Sequence, residues 1–173
     1  MKNQDYLYLD HAASTPMRTS ALEKYVEAES FGFANSSGGH KLSRDSKNLL
    51  EDSREKIAGL FNAAPGEIIF TSGGTEADNW TIKSLFESKK PDDNLVTSNI
   101  EHEAVLASAE WVSINGYQTK YAKSDKNGFV SKDEFLNQID DNTKVASLMW
   151  GNNETGVIQP CLLYTSPSPR DEL

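Results

Sequence analysis

Apolar and polar positions along the chain alternate between two spacings, one typical of strands and one typical of helices. Short apolar and β-branched runs predict strands at 6–10, 68–70, 95–97, 117–121 and 143–150. Between them, helical spacing predicts helices at about 19–29, 43–61, 75–86, 105–112 and 131–139. Thr19 or Ser20 is the expected N-cap of the first helix, and Ser131 with Glu134 forms a capping box at the last. Strands and helices in alternation predict an α/β fold with a mainly parallel sheet flanked by helices.

A glycine pair stands where the predicted strand 68–70 meets the next helix. Gly73 and Gly74 let the backbone turn tightly, and Thr75 with Asp78 has the pattern of a capped helix start. The free N–H groups and the dipole of such a first turn favour an anion, and glycine lets a phosphate approach the backbone closely. The alternative interpretation is a plain connector between strand and helix.

Two further polar clusters follow predicted strands. Glu101 and His102 come after the strand 95–97, and Asn152 and Asn153 come after the strand 143–150. Ligands of parallel sheets bind beyond the carboxyl ends of the strands, where such loops gather. Each cluster also has a structural interpretation, in which His102 caps its helix and the asparagines shape a turn. Together with the glycine turn they predict a pocket for a phosphorylated aromatic cofactor.

Composition narrows the classes of partner. The 173 residues are 37% hydrophobic and 25% charged, as expected for a soluble globular domain or a large part of one. The net charge of -9 disfavours nucleic acid and anionic membranes as partners. No apolar run approaches the roughly 20 residues of a membrane span, and the polar start does not resemble a signal peptide, so the cytoplasm is expected. A single cysteine and three scattered histidines predict no metal site.

Five stretches carry more specific patterns, at 8–13, 35–40, 69–79, 100–102 and 152–160. In this order they resemble the N-terminal part of the cysteine desulfurases, in the class V aminotransferase family of pyridoxal-phosphate enzymes of fold type I. The last three stretches are highly specific, whereas the first is shared more widely. The resemblance implies part of the large domain of a transferase that depends on pyridoxal 5′-phosphate.

The resemblance also implies roles for four residues. Gly74 and Thr75 would hold the cofactor phosphate, His102 would lie over the pyridine ring and move protons, and Asn153 would hydrogen-bond the phenolic oxygen. The implied reaction removes sulfur from L-cysteine, leaves L-alanine and yields an enzyme-bound persulfide for iron-sulfur cluster or thio-cofactor synthesis. A homodimer and a sulfur-acceptor protein are the implied partners.

The chain departs from the family pattern at two places. Ser36 and Gly38 replace a proline and a serine in the loop before His40, which predicts a looser loop. After Pro160 the pattern stops, so we expect a truncated family domain at 1–160 and an unstructured, unrelated tail at 161–173 that includes Cys161, which is not expected to accept sulfur. The family's cofactor-binding lysine, its aspartate facing the pyridinium nitrogen and its substrate-binding arginine are expected downstream, so no activity is expected of the fragment.

Three alternatives stay open. One is another class V member such as a selenocysteine lyase. A second is a non-catalytic phosphate-binding or nucleotide-binding module that uses the glycine turn alone. The third is a truncated piece without stable function, whose uncovered apolar edges predict poor solubility or dimerisation.

Overall fold

The computed structural model describes residues 7–87 and 90–161 of the chain. The chain divides into two compact units, Met1–Phe70 and Thr71–Leu173. Position 6 of the first predicted strand and all of the predicted tail except Cys161 lie outside the described residues.

The first unit is helical. It contains α1 (Thr19–Phe31), α2 (Lys41–Leu60) and a 3₁₀ turn at Pro65–Glu67. The helix predictions are confirmed, but the first cap is wrong: Arg18 occupies the N-cap of α1, and no side chain caps there. At α2 the cap is His40, whose ring accepts a hydrogen bond from the backbone N–H of Ser43.

The strand predicted at 68–70 is not formed, and neither is the described part of the strand at 6–10. A strand needs a neighbour that satisfies its backbone groups. Here the carbonyl oxygen of Ile68 accepts a hydrogen bond from the Arg54 guanidinium, which also lies 4.9 Å from the centre of the Phe70 ring. A side chain therefore takes the place of a neighbouring strand.

The second unit contains the sheet. Its elements in chain order are α3 (Gly74–Ser84), β1 (Asn94–Ser98), α4 (Glu103–Ile114), β2 (Gln118–Ala122), α5 (Lys132–Leu136) and β3 (Thr143–Ala146). The strands are parallel in the order β2-β1-β3. This confirms the predicted α/β class. β3 ends at Ala146, whereas the sequence predicted a strand over 143–150. Beyond β3 the Met149 N–H donates to the Glu101 side chain instead of to a neighbouring strand.

The core of this unit covers both faces of β1, which is buried along its whole length. On one face Leu95 packs in a cluster with residues of α3 and α4, among them Ile82 and Ala109. On the other face Val96 packs with Val130 and other apolar side chains. Because β1 is held from both sides, the segment that leaves its carboxyl end starts from a fixed position. Within the described ranges, no helix has the length and apolar character needed to cross a bilayer.

Candidate functional site

A cavity of about 400 Å³ opens beyond the carboxyl ends of β1 and β3. Two loops line it: the first contributes residues 99–103 with Leu106 of α4, and the second contributes residues 152–155. His102 and Asn153 therefore lie at one cavity, although they are far apart in sequence. Gly74 and Thr75 do not line it and lie instead at the start of α3.

His102 occupies the N-cap position of α4. Its backbone is extended, with φ -62° and ψ 148°, and its Nδ1 accepts a hydrogen bond of 3.1 Å from the N–H of Ala104. A ring nitrogen that accepts an N–H carries no proton, so the neutral ring has its proton on Nε2. The side chain is exposed. The cap thus orients the imidazole and leaves the Nε2–H as a hydrogen-bond donor at the cavity.

The second loop is a closed hairpin. Gly151 and Ile158 form an antiparallel bridge, and the chain reverses through Gly156, whose φ is 74°. The Oδ1 of Asn152 accepts hydrogen bonds from the N–H groups of Glu154 and Thr155 and from the Thr155 hydroxyl. Asn152 is therefore the residue that builds the loop.

Asn153, at the turn of this loop, has a different environment. Its side chain is exposed, and it makes no hydrogen bond to any residue that the structure describes. The carboxamide is free to donate and accept at the cavity, as a ligand group requires.

Glu101 lines the inner side of the cavity and is buried, with 7% of its surface exposed. One carboxylate oxygen, Oε1, accepts hydrogen bonds of 2.8 Å from the Ser98 hydroxyl and from the Met149 N–H. Burial raises the pKa of this carboxyl, and the charge of Asp78 in α3 raises it further, while the two hydrogen bonds act in the opposite direction. No role for Glu101 beyond its place next to His102 could be predicted from the sequence, because its pairing with Met149 depends on how β1 and β3 are arranged.

The start of α3 offers backbone donors. Gly73 is the N-cap, and the first helical hydrogen bond runs from the Ala77 N–H to the Gly73 carbonyl. The N–H groups of Gly74 and Thr75 lie in the first turn, where a helix provides no acceptor. These two groups and the helix dipole can bind an anion.

The capping pattern predicted for α3 is wrong. Asp78 does not cap the helix, and instead the Glu76 carboxylate turns back to accept hydrogen bonds of 2.6 Å from both the hydroxyl and the N–H of Ser72. These two bonds lower the pKa of Glu76. Ser72 is therefore already satisfied, and an anion at this helix start would meet the N–H groups of Gly74 and Thr75.

The charge at the cavity differs from that expected of a phosphate site. Glu103 and Glu154 line the cavity together with Glu101, so its surroundings repel a phosphate. The N–H groups at the start of α3 can bind an anion, although the Glu76 carboxylate lies in the same turn, and the cavity suits a neutral or cationic ring. A larger cavity of about 530 Å³ lies at the amino ends of the strands, and the described residues that line it, among them Phe86 and Trp111, include no histidine.

Cys161 is half-buried, with its sulfur 3.8 Å from the Met149 carbonyl oxygen. Burial raises the pKa of its thiol, which lowers the fraction of the reactive thiolate at neutral pH.

The fold and this site define an α/β protein with a ligand cavity at the carboxyl edge of a parallel sheet. The family model described as "Aminotransferase class-V" matches residues 7–163. The match takes in most of the chain, which therefore belongs to the aminotransferase class-V family. This confirms the family resemblance seen in the sequence.

Two similar curated proteins both carry the name cysteine desulfurase. The cysteine desulfurase IscS of Methanosarcina thermophila is 40% identical over 155 residues, which cover 89% of this chain and 38% of that protein. The cysteine desulfurase IscS of Clostridium botulinum is 37% identical over 155 residues, which cover 89% of this chain and 39% of that protein. The chain thus spans about two-fifths of the length of these relatives.

Solved structures show the same fold. A NifS-like protein superposes with a TM-score of 0.83 at 34% identity, over 89% of this chain and 43% of that one. A structure titled "SspA in complex with cysteine" superposes with a TM-score of 0.81 at 34% identity, over 88% of this chain and 44% of that one.

Proposed function

We propose that this chain forms the cofactor-phosphate and ring-binding part of a cysteine desulfurase-type enzyme that depends on pyridoxal 5′-phosphate. Its family and the names of its relatives support the proposal. The observation that carries it is the meeting of His102 and the free amide of Asn153 at one cavity. The reaction would convert L-cysteine to L-alanine and transfer sulfur to an enzyme thiol.

The donor groups fit this cofactor in kind and in charge. Unpaired N–H groups of Gly74 and Thr75 suit a phosphate, whereas the imidazole and the carboxamide suit an aromatic ring with a phenolic oxygen. When bound, pyridoxal 5′-phosphate supplies an electron sink that stabilises negative charge developing on the substrate.

The residues of the chain bind, orient and move protons around that ring. The backbone of Gly74 and Thr75 would hold the phosphate, and Asn153 would orient the ring through its phenolic oxygen. His102 would stack on the ring with its Nε2–H as a donor, and it would take up and return a proton only with Nδ1 released from the Ala104 N–H. Glu101 and Asn152 do not touch the ring in this proposal.

Binding of pyridoxamine 5′-phosphate tests the proposal on the chain itself. This form carries an amine in place of the aldehyde, so it does not react with surface lysines. We expect it to bind, and we expect pyridoxamine without the phosphate to bind at least about tenfold more weakly, since hydrogen bonds to a charged group contribute about 1.5–3 kcal/mol. Isothermal titration calorimetry measures both affinities. Equal affinities for the two ligands would contradict the phosphate site.

Two variants test the ring end of the site. Asn153→Ala removes one hydrogen bond and should weaken binding about fivefold. His102→Asn keeps a good N-cap but removes the imidazole, so it should weaken binding through lost stacking while the fold is kept.

The capping hydrogen bond of His102 favours a second candidate, a phosphate-binding module in which this histidine is only structural. That candidate expects full affinity in both ring-end variants, and inorganic phosphate should then compete as well as the cofactor does.

The remaining features of the enzyme follow from the same proposal. L-Cysteine is the proposed substrate, the cytoplasm the proposed location, and a homodimer that passes sulfur to an acceptor protein the proposed assembly. A selenocysteine lyase is the alternative within the family. The genomic sequence that follows the codon for Pro160 tests the desulfurase hypothesis against this alternative. A desulfurase requires a cofactor-binding lysine preceded by histidine and a later cysteine loop.

A further inference from the structure

The two loops of the cavity are joined by a reciprocal pair of side chains. Glu101 belongs to the first loop, and its carboxylate accepts from the Met149 N–H on the segment that leads into the second loop. Asn152 belongs to the second loop, and its Nδ2 donates 3.0 Å to the Ile100 carbonyl of the first loop. Each loop therefore sends one side chain across to the backbone of the other.

Glu101 and Asn152 occupy equivalent positions in their two loops. Glu101 immediately precedes His102, and Asn152 immediately precedes Asn153. In both loops an inward side chain makes the crossing bond and the next residue presents an exposed side chain at the cavity. A shift of either crossing bond would move the neighbouring ligand group with it.

We propose that Glu101 and Asn152 are positioning residues: together they brace the two loops and fix the distance across the cavity between the imidazole and the free amide. The brace concerns the chain without ligand, and it rests on the proposed function only for its effect on cofactor affinity.

Burying a carboxylate is energetically unfavourable, so the buried position of Glu101 calls for a compensating interaction. Burial of a charged group costs free energy unless its oxygens are hydrogen-bonded. The Oε1 of Glu101 receives two donors, from Ser98 in β1 and from Met149 on the segment that leads into the opposite loop. An apolar side chain could fill this space, but it could not tie the two backbones together.

Four variants separate the brace from general stability. Glu101→Ala removes one crossing bond, and Glu101→Gln keeps an oxygen that can accept both donors. Asn152→Asp keeps the oxygen that shapes its own loop but loses the donor to Ile100. Gln159→Ala is the control: this buried side chain bonds the backbone of Gly128 and Val130, and it does not line the cavity.

The first measurement needs no ligand. Side-chain NMR resonances of the His102 ring and the Asn153 amide should both shift in Glu101→Ala and Asn152→Asp, because loosening the brace moves both groups. The same resonances should stay in place in Glu101→Gln and in Gln159→Ala. Unchanged resonances in Asn152→Asp would overturn the proposal, and this variant decides the question if Glu101→Ala does not fold.

The second measurement is the affinity for pyridoxamine 5′-phosphate. We expect about five- to tenfold weaker binding in Glu101→Ala and Asn152→Asp, the effect of one lost hydrogen bond. Gln159→Ala should bind as the unsubstituted chain does, even where its melting temperature is lower. Affinities of Glu101→Ala and Asn152→Asp equal to that of Gln159→Ala would overturn the brace. Shifted resonances in a chain that binds no pyridoxamine 5′-phosphate would overturn the proposed function and support the brace.

Discussion

At the scale of single residues, His102 combines two tasks on two ring nitrogens. Nδ1 caps α4 by accepting from the Ala104 N–H, and Nε2 is directed to no partner within the described part of the chain. Protonation of Nδ1 would break the cap. As long as the helix start is intact, the ring therefore presents Nε2–H as a hydrogen-bond donor, and it takes up a proton only when Nδ1 leaves the Ala104 N–H.

Substitution of His102 can separate the two tasks. His102→Ala removes the cap and should lower the free energy of unfolding by about 1 kcal/mol, whereas His102→Asn should change it by less than about 0.5 kcal/mol because asparagine is a favoured N-cap. Urea unfolding followed by circular dichroism measures both. Equal losses in the two variants would show that the imidazole stabilises the fold by something other than capping.

Some residues of the candidate site can be predicted from the sequence, and others cannot. The three motifs around Gly74, His102 and Asn153 could be found from glycine, histidine and asparagine after predicted strands, since the carboxyl ends of parallel strands share an edge. The roles of Glu101 and Asn152 could not, because their crossing bonds join positions 48 and 52 residues apart in the chain. Such bonds depend on strand order, which spacing does not encode.

At the scale of elements, strand formation depended on a neighbouring strand to pair with more than on the apolar composition of the run. The runs at 95–97 and 117–121 became β1 and β2, which pair with each other in parallel register. The run at 68–70 is as apolar, yet Arg54 satisfies its first carbonyl and no strand forms. Helices were predicted more reliably because their hydrogen bonds are local.

Packing of β1 against its helices should dominate the stability of the second unit. Leu95 is fully buried in the cluster that contains Ile82 and Val112, so Leu95→Ala should cost about 2–5 kcal/mol. Ile114, at the end of α4, is 76% exposed, and Ile114→Ala should change stability by less than about 0.5 kcal/mol. Denaturant unfolding of the two variants gives the comparison, and similar losses would mean that this cluster is not the core.

Asp140, which precedes β3, links β1 to β2. Its carboxylate accepts from the amide of Asn94 in β1 and from the ammonium of Lys120 in β2, and the Lys120 bond is the larger cause of its lowered pKa. A carboxyl whose pKa is lower in the folded state stabilises above its unfolded pKa of about 4, and this contribution is lost as pH falls through the folded value.

Asp140→Asn should therefore lower the melting temperature by several degrees at pH 7, and the difference from the unsubstituted chain should shrink as pH falls below about 4. Asp141→Asn is the control, since Asp141 is exposed and makes no hydrogen bond or ion pair with a described residue. Thermal melts from pH 7 to pH 2 measure the effect. A difference that does not change with pH would rule out a role for the carboxylate charge.

At the scale of the whole molecule, the sheet formed by residues 7–87 and 90–161 has β2 at one edge and β3 at the other. Many large apolar side chains are also exposed, including Leu9 and Phe33 in the first unit and Trp150 and Ile158 in the second. Open edges and exposed apolar surface favour association between chains. The charge of -9 opposes it.

The isolated chain should therefore self-associate as its concentration rises, and more strongly at 1 M salt, where the Debye length falls to about 3 Å and the repulsion is screened. Sedimentation velocity at several protein and salt concentrations measures this. A monomer at every condition, with a sharp cooperative melt, would contradict the expectation and would favour an independently stable domain.

The hairpin that carries Asn153 has a kinetic consequence. Its shape is set by the Gly151–Ile158 bridge and by the side chain of Asn152, all of which are formed without ligand. The backbone entropy of the loop is therefore lost during folding and not during binding. In stopped-flow mixing with pyridoxamine 5′-phosphate, the observed rate should rise linearly with ligand concentration in a single phase, whereas a plateau would reveal a loop that rearranges before it can bind.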